Sequence, residues 1–333
     1  MSRKITLFDG DGIGPEITVQ LKRVFEALDL DFEYEEFLIG QRAYEKYGVL
    51  IPEDAIESIK RNKVAIKAPV TTPVGTGFKS VNVQLRNIFD LYVNFRPAKS
   101  FPNLATKYEN IDIITFRENT EDLYVGDEYK IEDGYVAKKI ITRKKSERII
   151  RYAFEYAKKN NRKKMTCLHK ANILKKSDGL FLKVFDEIRQ NYPDIKSESK
   201  IIDNACMQLV MNPNQFDCIV APNLYGDVVT DLIAGLIGGL GVAPAANIGK
   251  DVAIFEAVHG SAPDIAGKGI ANPTALFLSG AMMLDYIGKK TKGDVLRSAI
   301  IATISNNDLT LDLGGSLSLD DYASSIIQNI KNA

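Results

Sequence analysis

The chain has 333 residues, 45% of them hydrophobic and 26% charged, a size and balance suited to a soluble globular protein with one large or two medium lobes. Lysine plus arginine number 43, and so do aspartate plus glutamate, which leaves no bulk field to hold nucleic acid or an anionic membrane. Any anion site must therefore come from a local concentration of basic side chains.

Residues 1–7 run directly into a strand pattern, without a signal or transit pattern, and Cys167, Cys206 and Cys218 form no CxxC pair. Three thiols in apolar stretches read as free cysteines of a reducing compartment, so a cytoplasmic location is expected. The apolar stretch 232–246 is short and broken by glycines and Pro244, which predicts a packed interior segment rather than a membrane span.

In chain order, strands are predicted at 5–8 and 64–66, with a helix at 15–28 that carries proline in its first turn. A helix at 80–89 leads to strands at 91–95 and 111–116. The next helix, 146–159, has apolar residues at Ile149, Ile150, Ala153, Phe154 and Ala157. Strands near 165–168 and 218–221 flank helices at 177–192 and 203–211. A helix at 224–236 and a strand at 252–255 precede a mostly helical last third. Such alternation predicts α/β architecture with helices on both sheet faces. Residues 124–143 break the rhythm with period-two alternation and a turn at Glu132-Asp133-Gly134. They read as a protruding β hairpin, and an exposed strand edge of this kind suits a dimer arm.

Gly10-Asp-Gly12-Ile-Gly14-Pro15 lies between a strand and a helix and invites a Rossmann reading. The spacing fails, because G-x-G-x-x-G needs glycine at position 15, where proline stands. A tight strand-to-helix turn accounts for the glycines.

Three groups of residues carry candidate chemistry. Arg86 closes a helix, while Arg96 and Arg117 are read at strand ends, where α/β folds bind ligands. They are either ordinary solvated arginines or a carboxylate-binding cluster, to which Ser80 and Asn82 on the same helix would contribute. Asp227 and Asp231 are four apart at the start of a helix whose interior is apolar, and Asp203 follows a strand-like run. They are either N-terminal capping acids or hard oxygen ligands for Mg²⁺ or Mn²⁺. The third group is the loop 259–273, dense in glycine and proline, with His259, Asp264 and Asn272. Long loops on rigid lobes commonly bind ligands, whereas a lone histidine is more often structural.

These stretches together carry a family resemblance. GDGIGPE at 10–16, TTPVGTGFKSVNVQLR at 71–86, DLYVNFRP at 90–97, FRENTEDLYVG at 116–126, HKANI at 169–173, NLYGDVVTD at 223–231, GGLGVAPAANIG at 238–249 and HGSAPDIAGKGIANP at 259–273 span nearly the whole chain. In that order the sequence resembles the β-decarboxylating dehydrogenases, which act on isocitrate, homoisocitrate or 3-isopropylmalate.

The resemblance implies a two-lobed isocitrate/isopropylmalate dehydrogenase-like α/β fold that is not a Rossmann fold. A large nucleotide lobe would comprise 1–95 and 238–333, and a small substrate and dimerisation lobe 96–237, with the β arm at about 124–143. It further implies substrate contacts from Ser80, Asn82, Arg86, Arg96 and Arg117, and an acid/base pair in Tyr124 and Lys170. Metal ligation falls to Asp203, Asp227 and Asp231. Cofactor contacts fall to Thr72, His259, Gly260, Ala262, Asp264, Ile265 and Asn272. In the family Lys170 and Asp203 serve the partner subunit's site, so a homodimer with shared active sites is implied. Polar Ser80 and Asn82 match the isocitrate pattern, since 3-isopropylmalate needs an apolar pocket; homoisocitrate dehydrogenases differ around 71–82. Asp264-Ile265 stand where NADP users carry lysine and tyrosine. A carboxylate bonds ribose hydroxyls and repels a 2′-phosphate, so NAD is expected. The expected reaction is NAD-dependent oxidative decarboxylation of isocitrate, assisted by Mg²⁺ or Mn²⁺. A non-catalytic regulatory subunit is the rival from another class, disfavoured because Tyr124, Lys170 and all three aspartates are present.

Overall fold

The computed structural model describes residues 3–71 and 80–332. In chain order the elements are β1 (Arg3–Phe8), α1 (Gly14–Ala27), β2 (Phe32–Phe37), α2 (Gln41–Tyr47), α3 (Glu53–Asn62) and β3 (Val64–Lys67). Then come α4 (Val81–Ile88), β4 (Val93–Lys99), β5 (Asp112–Glu118), β6 (Glu128–Ile131), β7 (Gly134–Ala137), α5 (Arg143–Lys159), β8 (Lys164–His169) and α6 (Ser177–Ile188). The chain continues through β9 (Lys196–Ile201), α7 (Ile202–Met211), β10 (Cys218–Ala221), α8 (Asn223–Leu236), β11 (Pro244–Ile248) and β12 (Ala253–Ala257). Helices α9 (Thr274–Tyr286), α10 (Lys290–Ser305) and α11 (Leu319–Lys331) complete it. Among the described residues, no helix is long and apolar enough to cross a membrane.

Ten strands form one sheet in the order β2-β1-β3-β12-β11-β4-β5-β10-β8-β9. The sheet is mostly parallel, but β4 runs antiparallel to both β11 and β5, and β11 antiparallel to β12. Strands from the two ends of the chain thus make one half of the sheet, and strands from its middle make the other.

The registers align a consistent face across six neighbouring strands. Ile66, Phe255, Ala246, Phe95, Phe116 and Val220 lie opposite one another in turn. This apolar face packs on α9 and α5, with Phe95 and Phe116 against Tyr156 of α5 at 4.9 and 5.3 Å between ring centroids. The opposite face carries Lys67 opposite Glu256, and Asn247, Asn94 and Arg117 opposite one another in turn, a row of polar side chains where a strand's period of two puts them all on one side.

The structure corrects one expectation and adds two strands. The strand read at 91–95 runs instead over β4, so Arg96 stands at its centre and not at its end; Pro97 is tolerated inside it, although a proline removes one ladder donor. The 203–211 and 224–236 helices and the others stand within a few residues of their expected bounds. Strands β2 and β11 are absent from the sequence reading. The run FEYEEF of β2 is an acidic edge strand with one buried residue, and charge at an edge blunts pairing with another chain. The run PAANI of β11 has little β propensity of its own and owes its conformation to two flanking strands.

Residues Gly10 and Gly12 adopt positive φ, and a side-chain carbon at either would collide with a carbonyl oxygen, of Pro69 and of Ser261 respectively. The turn is therefore the meeting point of three segments, held by Asp11 N–H to Pro69 O (2.8 Å) and Ile13 N–H to Ser261 O (2.9 Å).

The hairpin forms as expected, with β6 paired to β7 and the turn at Glu132-Asp133. Tyr135 is 74% exposed, and Tyr129 and Ile131 are also exposed. At its root, buried Glu121 accepts hydrogen bonds from Thr142 N (3.0 Å) and Thr142 Oγ1 (2.8 Å). Burial nonetheless pushes the Glu121 carboxyl up to about 7. A folded value above the ordinary 4.5 means that folding takes up a proton here. Its contribution is complete at pH below about 4.5 and is lost as pH rises through about 7. Glu121→Gln keeps both contacts without the charge. We expect it to match the native protein at about pH 4 and to exceed its stability at about pH 8 by on the order of 2 kcal/mol, as read by urea unfolding. Equal stability at both pH values would contradict the assignment.

Candidate active site

Helix α8 begins at the end of β10, and its first two turns face the polar side of β4 and β5. Arg117 is buried to 1% exposure. Its Nε donates to Asn223 Oδ1 at 2.8 Å and its Nη1 pairs with Asp227 Oδ1. Its guanidinium also lies 4.9 Å from the Tyr124 ring centre. The Tyr124 hydroxyl donates to the other oxygen of Asp227. From β4, Arg96 donates from Nη1 to Thr230 Oγ1 at 2.7 Å and lies 3.3 Å from Asp231 Oδ1 and 3.7 Å from Asp227 Oδ1.

Helix α4 supplies the third arginine. Arg86 is buried in the last turn. Burial and the neighbouring Arg117 pull its guanidinium down to about 10, with Glu256 and Asp227 opposing them, so it remains a cation at neutral pH. Burial, then Arg117, also lowers Arg96. Ser80 caps the helix without a side-chain capping bond. Asn82 Oδ1 and Arg86 Nε, four residues apart, are buried without a hydrogen-bond partner among the described residues. A buried polar atom left unpaired costs about 1–3 kcal/mol, so two on one helix face mark a surface built for a polar ligand.

The electrostatics follow from this geometry. Burial works against the Asp227 charge, but Arg117, the Tyr124 hydrogen bond, Arg96 and Arg86 together hold its carboxyl below the ordinary range. Burial raises Tyr124, Arg117 opposes that, and the bond to Asp227 adds to it, so the phenol keeps its proton. The cluster places three cations against two carboxylates, a net positive patch in an otherwise neutral chain.

The remaining acid/base and metal candidates stand apart as a pair. Lys170 Nζ lies 2.6 Å from Asp203 Oδ1, and that bond chiefly lowers the Asp203 carboxyl. The backbone N–H of Lys170 donates to buried Asp178 at 2.7 Å, which fixes the loop that carries it. Among the described residues no three acidic, histidine or cysteine groups gather as a metal cluster. Asp227 and Asp231 come together, and Asp203 does not join them within one chain.

In the third candidate region, His259 Nδ1 lies 3.0 Å from Gly260 O, and its Nε2 is buried without a partner among the described residues. Burial lowers its pKa, so the ring is neutral near pH 7. Ala262 adopts φ +40 in a turn closed by Ile265 N–H to Ala262 O at 3.1 Å. This turn presents exposed Asp264 beside half-buried Ile265. Among the described residues nothing crowds the space beside Gly260. The Asn272 side chain is engaged at both ends, donating to Asp312 (3.0 Å) and accepting from Thr274 N (3.0 Å). Thr72 lies outside the described residues.

Sequence reasoning missed Asn223 and Thr230, which hold Arg117 and Arg96. Their signal was present: they lie in the same two helix turns as Asp227 and Asp231. It also missed Gly226. A side-chain carbon there would lie 2.5 Å from Arg117 Cγ and 2.7 Å from Arg117 Cβ. Gly226→Ala should displace Arg117 or α8, lowering kcat/KM by about 10²-fold and stability by about 1–3 kcal/mol. Steady-state kinetics beside denaturant unfolding checks this, and native kinetics would show that the arginine stem yields freely.

Comparison with known proteins identifies the family of the chain. A family model described as isocitrate/isopropylmalate dehydrogenase matches residues 4–329. The mitochondrial NAD isocitrate dehydrogenase catalytic subunit 6 of Arabidopsis thaliana is 49% identical over 98% of this chain and 88% of its own. The homoisocitrate dehydrogenase of Methanocaldococcus jannaschii is 47% identical, over 98% of both chains. The crystal structure of isocitrate dehydrogenase from Methylococcus capsulatus superposes with a TM-score of 0.96 at 46% identity, over 99% of each chain. The chain therefore belongs to the isocitrate/isopropylmalate dehydrogenase family.

Proposed function

We propose that this protein catalyses the NAD-dependent oxidative decarboxylation of isocitrate to 2-oxoglutarate and CO2. The observation that carries the reading is the convergence of Arg86, Arg96 and Arg117 on Asp227, Asp231 and Tyr124. A tricarboxylate brings about three negative charges, which three arginines balance, leaving the aspartates to a divalent cation. Asn82 and Ser80 favour a third substrate carboxylate over an apolar branch. Homoisocitrate, one methylene longer, is the second reading. The Methanocaldococcus relative favours it, and one methylene in a pocket discriminates only about 10–200-fold. 3-Isopropylmalate comes third. A regulatory, non-catalytic role is the least supported, because every proposed catalytic side chain is present.

The donor set suits Mg²⁺ or Mn²⁺: Asp227 and Asp231 are hard oxygen donors on one helix face, to which the partner subunit's Asp203 would add a third. The unpartnered Nε2 of His259 and the open space beside Gly260 suit a nucleotide on the 259–273 loop, joined by Thr72, Ala262, Ile265 and Asn272. Exposed Asp264 favours NAD over NADP. When bound, the cation supplies Lewis acidity and NAD the hydride acceptor. The chain's own groups do the rest. The arginines orient the substrate carboxylates. Lys170, from the partner subunit, accepts the hydroxyl proton as hydride leaves C2. Tyr124, whose half-buried phenol keeps its proton, protonates the carbon that has lost CO2.

Assignment of Lys170 and Asp203 to the partner's site makes a homodimer part of the reading. Met207, Val210 and Met211 on α7 and Val228 on α8 are exposed, Met211 to 71%, and would be covered in that dimer. A two-stranded hairpin is marginal by itself, which suits the arm over about 124–143 to a partner's surface. The reading keeps a large lobe at 1–95 with 238–333 and a small one at 96–237. The free thiols, Cys167 and Cys218 buried, favour a reducing compartment such as the cytoplasm.

Metal removal tests the proposal. With NAD and isocitrate, NADH and CO2 should form in equal amounts, fall by at least about 10²-fold in EDTA and return with Mg²⁺ or Mn²⁺. Undiminished turnover in EDTA would remove Asp203, Asp227 and Asp231 from the mechanism.

A further inference from the structure

The polar contacts of Arg96 continue across the strands along the same face of the sheet. Lys67 Nζ on β3 lies 2.6 Å from Glu256 Oε2 on β12. The other oxygen of Glu256 accepts from Asn247 Nδ2 on β11 at 2.6 Å. Asn247 Oδ1 accepts from Asn94 Nδ2 on β4 and from Asn119 Nδ2, each at 2.9 Å. Asn94 Oδ1 in turn accepts from Arg96 Nε at 2.7 Å. Lys67, Glu256, Asn247, Asn94 and Asn119 are all buried.

The ends of this chain dictate the direction of its amides. An ionised carboxylate only accepts, and a guanidinium only donates. Asn247 must therefore turn its NH2 to Glu256, and Asn94 must turn its oxygen to Arg96. The bond between the two amides then has one possible sense, the one observed. Glu256 is held ionised: burial opposes its charge, but Lys67 and then Arg86 bring its carboxyl down to about 2. Paired charges and amides of this kind are costly to bury unless every member is satisfied. Here four strands supply Lys67, Glu256, Asn247 and Asn94 across the junction between the two halves of the sheet, with Lys67 opposite Glu256, Asn247 opposite Asn94, and Glu256 and Asn247 diagonal to each other; only Asn119 Oδ1 lacks a partner among the described residues.

We propose that Glu256, Asn247 and Asn94 form a directional relay that positions the Arg96 guanidinium for a substrate carboxylate, with Lys67 as its counter-ion. Asn94 and Asn247 are thereby positioning residues that act only through Arg96. The inference rests on the reading of Arg96 as a substrate ligand.

A double-mutant cycle on the full-length enzyme tests it. Asn94→Ser should raise the substrate KM by about ten-fold, with kcat and the NAD dissociation constant changed less than about three-fold. In an Arg96→Lys background, which lacks the Nε–H that Asn94 holds, the same change should leave KM unaltered. Asn247→Ser, one link further back, should behave alike, and serves if Asn94→Ser does not fold. The cycle is run with whichever of isocitrate, homoisocitrate and 3-isopropylmalate the native enzyme turns over best. Effects on KM that add in the Arg96→Lys background would overturn the relay and leave the proposed function intact. A native enzyme inactive on all three substrates would overturn both.

Discussion

Replacing Lys170 with methionine is expected to lower kcat by about 10²–10⁴-fold, the usual contribution of a positioned general base, with little change in folding stability. Lys170 pairs with Asp203, whose side chain is 68% exposed, so its loss strands no buried charge, and exposed ion pairs contribute about 0–1 kcal/mol. The defect should also be repairable in trans. If Lys170 serves the partner's site, a subunit lacking it still carries an intact Arg117, Asp227 and Tyr124. Mixed with Arg117→Leu subunits, it should form hybrid dimers with one complete site and one doubly defective site. Random reassociation would then restore about a quarter of native activity from two inactive preparations. Assay before and after dissociation and reassociation of the mixture checks this. No recovery, with hybrids demonstrated by mass spectrometry, would place Lys170 at the site of its own chain.

Asp264→Lys combined with Ile265→Tyr is expected to shift the preference between NAD and NADP by about 10²–10³-fold in kcat/KM. Specificity here is a difference of two affinities, and the exchange acts on both. Asp264 is exposed in the turn closed at Ala262, so a carboxylate that would repel a 2′-phosphate gives way to a cation that attracts it. Neither position is buried, so the expected cost in stability is within about 0.5 kcal/mol. Comparing kcat/KM for the two cofactors at one substrate concentration reads the result. An unchanged ratio would show that the loop does not contact the adenosine ribose.

Both predictions start from residues that the sequence could single out. Asp227 and Asp231 are four apart on one helix face, and that spacing is local, so their proximity was legible. Arg86 and Asn82 share a face for the same reason. The convergence of Arg96 and Arg117 was visible as a coincidence of types but not as a geometry. Arg96 was read at a strand end, whereas β4 continues through Pro97 and places it mid-strand. What directs it at Asp231 is the antiparallel pairing of β4 with β5 and the seating of α8, both long-range. Asn94 and Asn247 lay beyond reach altogether. They are 153 residues apart in sequence, and nothing local says that one amide will oppose the other. The antiparallel β11 that aligns them was itself missed, since PAANI becomes a strand only between two neighbours. The edge strand β2 was missed for the opposite reason, its glutamates masking the alternation. The tight turn at 10–14 was read correctly as not Rossmann, and its reason proved to be crowding by the Pro69 and Ser261 carbonyls.

The central claim is an oxidative decarboxylase whose arginine cluster takes a tricarboxylate, isocitrate in preference to its homologues. The most direct measurement offers purified protein, with Mg²⁺ and NAD, isocitrate, homoisocitrate and 3-isopropylmalate separately, following NADH and released CO2. The account predicts the highest kcat/KM on isocitrate, by about ten-fold or more, with one CO2 per NADH. Highest turnover on 3-isopropylmalate, or NADH formed without CO2, would contradict it.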